Sequence, residues 1–235
     1  MRRALGILAM GAVLVAATPT AFGSWAVVTM QEWPEYLEVG KPSTLAFKIR
    51  SHGKWLLDDR SPTVRLGNAK AGFLSRLFRR DRVAAVKGSE VGLYEVTITP
   101  EDTGEVSLVI DTDVARWKVR LLPLRVVAAG HTPPPLSAHE RGRQLFAAKG
   151  CATCHAKQDD PALADWQLMS VGPPLTGRSF PADWLAQKLA DPAQYRGATT
   201  NGFVMPDLAL DEREIGALVS FLNQGTVTAE ASDGR

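Results

Sequence analysis

The sequence predicts two domains of different class: an antiparallel β-sandwich over residues 24–129, then a small all-α domain over residues 137–226. The apolar residues recur with period two before a proline-rich stretch and with helical period after it. A length of 235 residues is also what two small domains require. The composition, 45% hydrophobic and 22% charged, is that of a globular protein and excludes a disordered, collagenous or polytopic membrane chain. A net charge of +2 and the lack of a Gly-rich phosphate loop argue against nucleic acid as a partner. The two cysteines, Cys151 and Cys154, are too close to staple distant parts of a fold, so their role is chemical.

Residues 1–23 read as a targeting segment. Arg2 and Arg3 precede an apolar run from Ala4 to Ala17, and Ala21 and Gly23 are the small residues a signal peptidase inspects. No charge appears between Ala4 and Gln31, so the segment is either a cleaved signal peptide or a retained membrane anchor. Both readings place the rest of the chain outside the cytoplasm, in the periplasm or an equivalent compartment. Pro19 interrupts the run, and Ser24, Trp25, Ala26, Val27, Val28 and Thr29 read as a strand.

Strands then follow at close spacing. Leu45, Phe47 and Ile49 alternate with Thr44, Ala46, Lys48 and Arg50; Tyr94, Val96 and Ile98 repeat the pattern, as do Val106, Leu108 and Ile110, and Trp117, Val119 and Leu121. Turn residues divide them at Gly40, Pro42, Gly88, Pro100 and Gly104, which favours a sandwich over a βαβ sheet. Residues 130–136, rich in proline, read as a stiff linker.

Beyond it, Ser137 and Glu140 make a capping box for a helix with Ala138, Gly142, Leu145 and Phe146 on one face. Trp184, Leu185, Lys188 and Leu189 indicate a second helix, closed by Asp191 and Pro192. A third begins at Asp211, with Glu214 in capping-box spacing, and is expected to bury Ile215, Leu218, Val219 and Leu222. Residues 227–235 read as a flexible tail.

The chemistry concentrates in Cys151-Ala152-Thr153-Cys154-His155, a C-x-x-C-H sequence that reads as c-type haem attachment. Two thiols one turn apart suit addition to the porphyrin vinyl groups, and the adjacent histidine suits the iron. A C-x-x-C redox dithiol wants a βαβ frame, and a zinc site wants two more ligands; His52, His131 and His139 are scattered over a strand end, the linker and a helix start.

Gly172-Pro173-Pro174-Leu175 lies 17 residues beyond His155, and Met205-Pro206 lies 50 beyond it. With these segments residues 137–224 resemble the class I monohaem cytochromes c. The resemblance implies that the carbonyl of Pro173 faces the second nitrogen of a haem-binding His155, and that Met205 is the distal ligand. It further implies that Gly142, Phe146 and Phe221 form the crossing of the terminal helices. A thioether is soft and stabilises ferrous iron, so a His/Met pair raises the potential. Met169, the rival sulfur, has no proline beside it and precedes the G-P-P-L turn. The stretch from Ala156 to Met169 is somewhat long for the family and either shapes a partner surface or lies over one haem edge.

Residues 25–127 resemble, less specifically, the FixH/YtkA-like immunoglobulin-fold domains of exported bacterial proteins. The pattern rests on Leu37, Val39, Gly40 and Pro42, on Leu45, Phe47 and Ile49, and on Gly92, Tyr94, Val96 and Ile98. Copper binding is not expected with only His52 and Met30 to serve it. Residues 70–87 carry Lys70, Arg76, Arg79, Arg80, Arg82 and Lys87 against Asp81. That run is a solvated face or a dock for an anionic surface. Residues 24–130 hold 16 basic and 13 acidic residues, residues 131–235 hold 9 and 12.

The expectation is therefore an all-β immunoglobulin-like sandwich followed by an all-α cytochrome c domain. Such a chain is an exported carrier of single electrons with one covalently attached haem c, serving redox partner proteins and docked on or part of a membrane-bound electron-transfer complex. A carrier with both axial positions filled is not an enzyme. The alternatives are a haem enzyme or small-ligand sensor with a displaceable distal ligand, and a structural subunit of a membrane complex.

Overall fold

Ala26–Met30 has no polar and apolar alternation, and in the folded chain all five residues are buried although they form an edge strand. A strand is buried on both faces only where a second layer covers it. That layer is the helical domain. The computed structural model describes residues 24–68, 82–166, 169, 171–194 and 203–223.

The first sheet runs β1 (Ala26–Met30), β3 (Ser43–Ser51), β8 (Leu93–Ile98), β7 (Val86–Lys87), with β4 (Trp55–Leu56) paired to β3. The second runs β2 (Tyr36–Glu38), β11 (Leu124–Val127), β9 (Gly104–Asp111), β5 (Thr63–Asn68), β6 (Arg82–Ala84), with β10 (Lys118–Arg120) paired to β9. Every pairing is antiparallel except β2 with β11. The N-terminal edge thus divides between the two sheets, giving an immunoglobulin-like sandwich. Register follows the alternation: Leu45 faces Val96 and Phe47 faces Tyr94, while Val64 faces Ile110 and Leu66 faces Leu108. The inward side chains of both sheets share one core.

Among the described residues four helices follow: α1 (Ala138–Ala148), α2 (Cys151–Cys154), α3 (Ala182–Ala190) and α4 (Glu212–Asn223). Reciprocal bonds cap α1: the Glu140 N–H donates to Ser137 Oγ at 3.2 Å, and the Ser137 N–H to Glu140 Oε2 at 3.0 Å. The Glu214 N–H likewise donates to Asp211 Oδ1 at 2.8 Å before α4. α1 crosses α4 at Gly142, where a Cβ would overlap the carbonyl oxygen of Ala217 and come within 2.6 Å of Phe221 Cβ. This approach sets the phase of α4. Leu218 and Leu222 are buried as the spacing predicts and Phe221 as the resemblance implies, but Ala217 joins them while Ile215 and Val219 are only half-buried. Hydrophobic period alone cannot show that a partner glycine draws the contact to Ala217.

The seam between the domains is polar as well as apolar. Ala26, Val28 and Met30 enter the sandwich core. Trp25, Val27 and Thr29 point the other way and are buried too, at 4%, 3% and 1% exposure. Lys149, 2% exposed, donates from Nζ to the Gln31 carbonyl at 2.8 Å and pairs with Glu214 at 2.7 Å. Trp33 Nε1 donates to Gln144 Oε1 at 2.9 Å, and Gln144 Nε2 donates to the Pro123 carbonyl at 3.0 Å.

Residues 130–136, expected as a stiff spacer, are fastened along the sandwich. The Gly130 and Leu136 N–H groups donate to Glu38 and Glu35, each at 3.2 Å, and Arg125 donates to the Pro134 carbonyl at 3.0 Å. Those carboxylates lie about a hundred residues upstream, beyond the reach of a local reading. Among the described residues no helix is long and apolar enough to cross a membrane. Residues 1–23, expected to be a targeting segment, residues 227–235, expected to be a tail, and most of the basic run, residues 69–81, lie outside the described residues. Of that run, Arg82 is exposed on β6 and Lys87 is ion-paired with Asp58.

Replacing Lys149 by Met leaves the Glu214 carboxylate and the Gln31 carbonyl in a seam without their cation. We expect a loss of about 3 kcal/mol in urea unfolding, the scale for breaking a buried ion pair. Native-state hydrogen exchange is expected to show β3 and α4 amides losing protection at coincident urea concentrations. Separate transitions for the two domains would contradict a shared seam.

Candidate functional site

Gly150 turns the chain from α1 into α2 at φ +82°, in the left-handed region. A Cβ there would lie 2.5 Å from Val27 Cγ1 and 2.6 Å from the Val28 carbonyl oxygen, so both conformation and space call for glycine. α2 is a single turn. Its i, i+3 spacing sets Cys151 and Cys154 on one side, both half-buried, while Ala152 and Thr153 are buried. His155 then leaves the helix with extended backbone (φ −116°, ψ 124°), its N–H still bonded to the Cys151 carbonyl at 2.9 Å.

A returning segment holds the imidazole. The Met169, Gly172 and Leu175 N–H groups donate to the carbonyls of Thr153, Cys154 and Ala156 at 2.9, 3.0 and 2.8 Å. This alignment brings the Pro173 carbonyl to 2.9 Å from His155 Nδ1. A carbonyl can only accept, so Nδ1 carries the hydrogen and Nε2 presents its lone pair. Gly172 lies flat on the ring: a Cβ there would be 2.5 Å from Cε1, 2.6 Å from Nδ1 and 2.9 Å from Nε2. Burial, more than any other influence, pulls the His155 pKa below the ordinary histidine value, with the bond to Pro173 opposing it. The neutral ring needed for metal ligation is thereby favoured.

Burial also pushes the thiols up, to about 12 at Cys151 and about 11 at Cys154. Among the described residues no group of three or more His, Cys, Asp or Glu is placed to hold a metal ion. His52 packs edge-on against Trp25 and Trp55, and His139 against Phe221. Neither joins the cluster at His155.

The long loop after His155 folds back on the site. Leu163 and Asp160 are buried in it, and Lys157, 4% exposed, pairs with Asp159 at 2.6 Å beneath the Phe221 ring. With Phe146 and Ala152, its residues Leu163, Ala164 and Trp166 line a cavity that reaches His155. Of the two stretches expected to carry ligands, the first is thus gathered into one unit: Cys151, Cys154, His155 and Pro173. Met205 stands on a separate loop, half-buried against the core, beside Pro206. Leu208 is buried in that loop, and Ala209 takes φ +50° with its N–H on Asp207 Oδ1 at 2.8 Å. The sequence reading passed over the steric roles of Gly150 and Gly172, although a glycine directly before C-x-x-C and another opening G-P-P-L were visible in it.

These residues fit a covalently bound haem. Two half-buried thiols share one side of a turn, an oriented imidazole offers its free nitrogen, and Leu175, Phe180, Leu210, Ile215 and Val219 are apolar side chains left half-buried around the core.

Residues 139–226 match the family described as Cytochrome c. No curated protein matches the chain. Among solved structures the chain is similar to a superoxide reductase (neelaredoxin) from Ignicoccus hospitalis, with 16% identity over 43% of this chain and 80% of that one, at a TM-score of 0.29. It is similar to a CARDB domain from Pyrococcus furiosus in complex with di-metal ions, with 13% identity over 47% and 95%, at 0.29. The ZirS C-terminal domain aligns with 12% identity over 54% and 87%, at 0.31. Likenesses this weak carry no argument about what the chain does, and the FixH/YtkA resemblance stays with the strand and turn pattern alone.

Gly172→Ala forces a methyl group onto the His155 ring. We expect the ring to shift, the bond to Pro173 to break, and a cost of about 1–3 kcal/mol. Nitrogen-15 spectra of the histidine ring check this: a slowly exchanging Nδ1 proton in the unaltered chain and a rapidly exchanging one in the variant.

Proposed function

We propose that this chain, whose C-terminal domain is a cytochrome c domain, is an exported c-type cytochrome that carries single electrons between protein partners and performs no catalysis of its own. The observation that carries the reading is the 2.9 Å bond from His155 Nδ1 to the Pro173 carbonyl, set beside two cysteines on one helical turn. When bound, haem c supplies a one-electron ferrous/ferric couple. The protein's part is to attach, orient and shield. Cys151 and Cys154 would hold the porphyrin through thioether links, and His155 Nε2 would bind iron with its ring fixed by Pro173 and Gly172. Met205 would supply the distal sulfur, which raises the potential and leaves no open position for substrate. Phe146, Leu163 and Trp166 would keep water from the histidine side.

Export is supported by the N-terminal pattern of Arg2, Arg3 and the apolar run. It places the chain where thioether cytochromes work, free or attached to the membrane. Its redox partners are soluble proteins or part of a membrane complex, and co-purification from native membranes would identify them.

One haem per chain is expected to survive acid acetone and denaturing electrophoresis, and the Cys151→Ala/Cys154→Ala variant to release it. The oxidised protein should be low-spin, with the weak near-infrared band of sulfur-to-iron charge transfer. Met205→Ala should abolish that band and lower the potential by roughly 0.2 V, within the range of about 0.8 V that axial ligands span. Extraction of the haem by acid acetone would refute attachment. A high-spin unaltered protein that binds carbon monoxide rapidly would point to a sensor or enzyme.

A further inference from the structure

Both flanks of Met205 rest on the sandwich. Phe203, two residues before it, lies with its ring centroid 6.0 Å from Trp25, at an interplanar angle of 40°. The Lys54 ammonium sits 4.9 Å from the centroid of the same Phe203 ring. Burial lowers the Arg50 pKa, and the charge of Asp207, two residues after Met205, opposes that shift; Arg50 Nη1 is tied to Thr29 Oγ1 at 3.0 Å. The loop's partners therefore stand immediately before β1, on β3 and in the turn that joins β3 to β4. Trp25 is not a loose lid. It is 4% exposed and braced by Trp117 at 6.5 Å and His52 at 5.5 Å.

We infer that Trp25 and Phe203 are positioning residues for the distal ligand, the sandwich acting as a clamp that holds the Met205 loop against the site. The inference rests on Met205 being the distal ligand. Its physical content is preorganisation. A thioether is a weak neutral ligand, so its occupancy depends on how far the loop is restrained before the bond forms. An aromatic pair two residues from the sulfur removes much of that freedom. The opposite ligand is restrained from the same strand, since Gly150 packs on Val27 and Val28 directly before Cys151. One rigid edge thus fixes the spacing between the two sides of the site. A thin all-α domain alone would leave that spacing to its loops.

The test uses the full haem-loaded chain. In Phe203→Ala the loop loses its anchor while β1 stays intact, so folding is not at risk. We expect the near-infrared sulfur band to weaken, the potential to move toward that of Met205→Ala, and imidazole to bind about five- to tenfold more tightly, the scale of one aromatic pair. Trp25→Ala should do the same, with Trp25→Phe restoring most of the band, and Val86→Ala, exposed on β7 at the opposite edge of the same sheet, should change none of these. Haem content and the Cys151 and Cys154 links should be unaltered throughout. If Phe203→Ala keeps the full band, potential and imidazole affinity while Met205→Ala loses the band, the clamp is refuted and the electron-carrier reading stands. If the unaltered protein shows no sulfur band, the assignment of Met205 fails and the clamp fails with it.

Discussion

Lys149 is an ammonium group at 2% exposure, and its two partners belong to different domains: the Gln31 carbonyl just beyond β1 and the Glu214 carboxylate on α4. A buried cation is tolerated only where its hydrogen-bonding capacity is met, so the position of each domain is a condition for the other. Along the same line Trp25, Val27 and Thr29 turn outward from the sandwich into the seam, and Trp33 reaches across it to Gln144. The alternation of β1 thus serves two cores at once. This is why an edge strand has no free face.

That constraint reaches the site through short paths. Gly150 seats against Val27 and Val28, and the next residue is Cys151. Phe203 seats against Trp25, two residues before Met205. The histidine is oriented from within the helical domain, by Pro173 and Gly172, and the loop from Ala156 to Trp166 closes over it. Two of these supports come from the sandwich. A domain of this size gains precision from such bracing, because its own core is limited.

Much of this was legible in the sequence. Alternation at Leu45, Phe47 and Ile49 placed the sandwich, and the capping boxes at Ser137 and Asp211 placed the starts of α1 and α4 within a residue. The Cys151, Cys154 and His155 spacing pointed to haem, and the Pro173 contact is where the family resemblance implied. What escaped was everything that depends on distant pairs. Ile215 and Val219 were expected in the core and are half-buried, whereas Ala217, which no periodicity singled out, is turned inward by the Gly142 approach. Residues 130–136 carry the composition of a spacer, and only Glu35, Glu38 and Arg125 reveal them as a strap. Ala26–Met30 lacks a clean alternation of polar and apolar residues, yet nothing local names the layer that covers its second face.

Cutting the strap would test the interdependence of the two halves most directly. A protease site introduced among residues 131–135 of the haem-loaded chain allows the backbone to be severed after folding, leaving every seam contact chemically intact. On this account the halves stay together in size-exclusion chromatography at micromolar concentration, with haem absorbance travelling with the sandwich and the sulfur-to-iron band unchanged. Separation of the halves, with a haem spectrum indifferent to the loss of the sandwich, would contradict it.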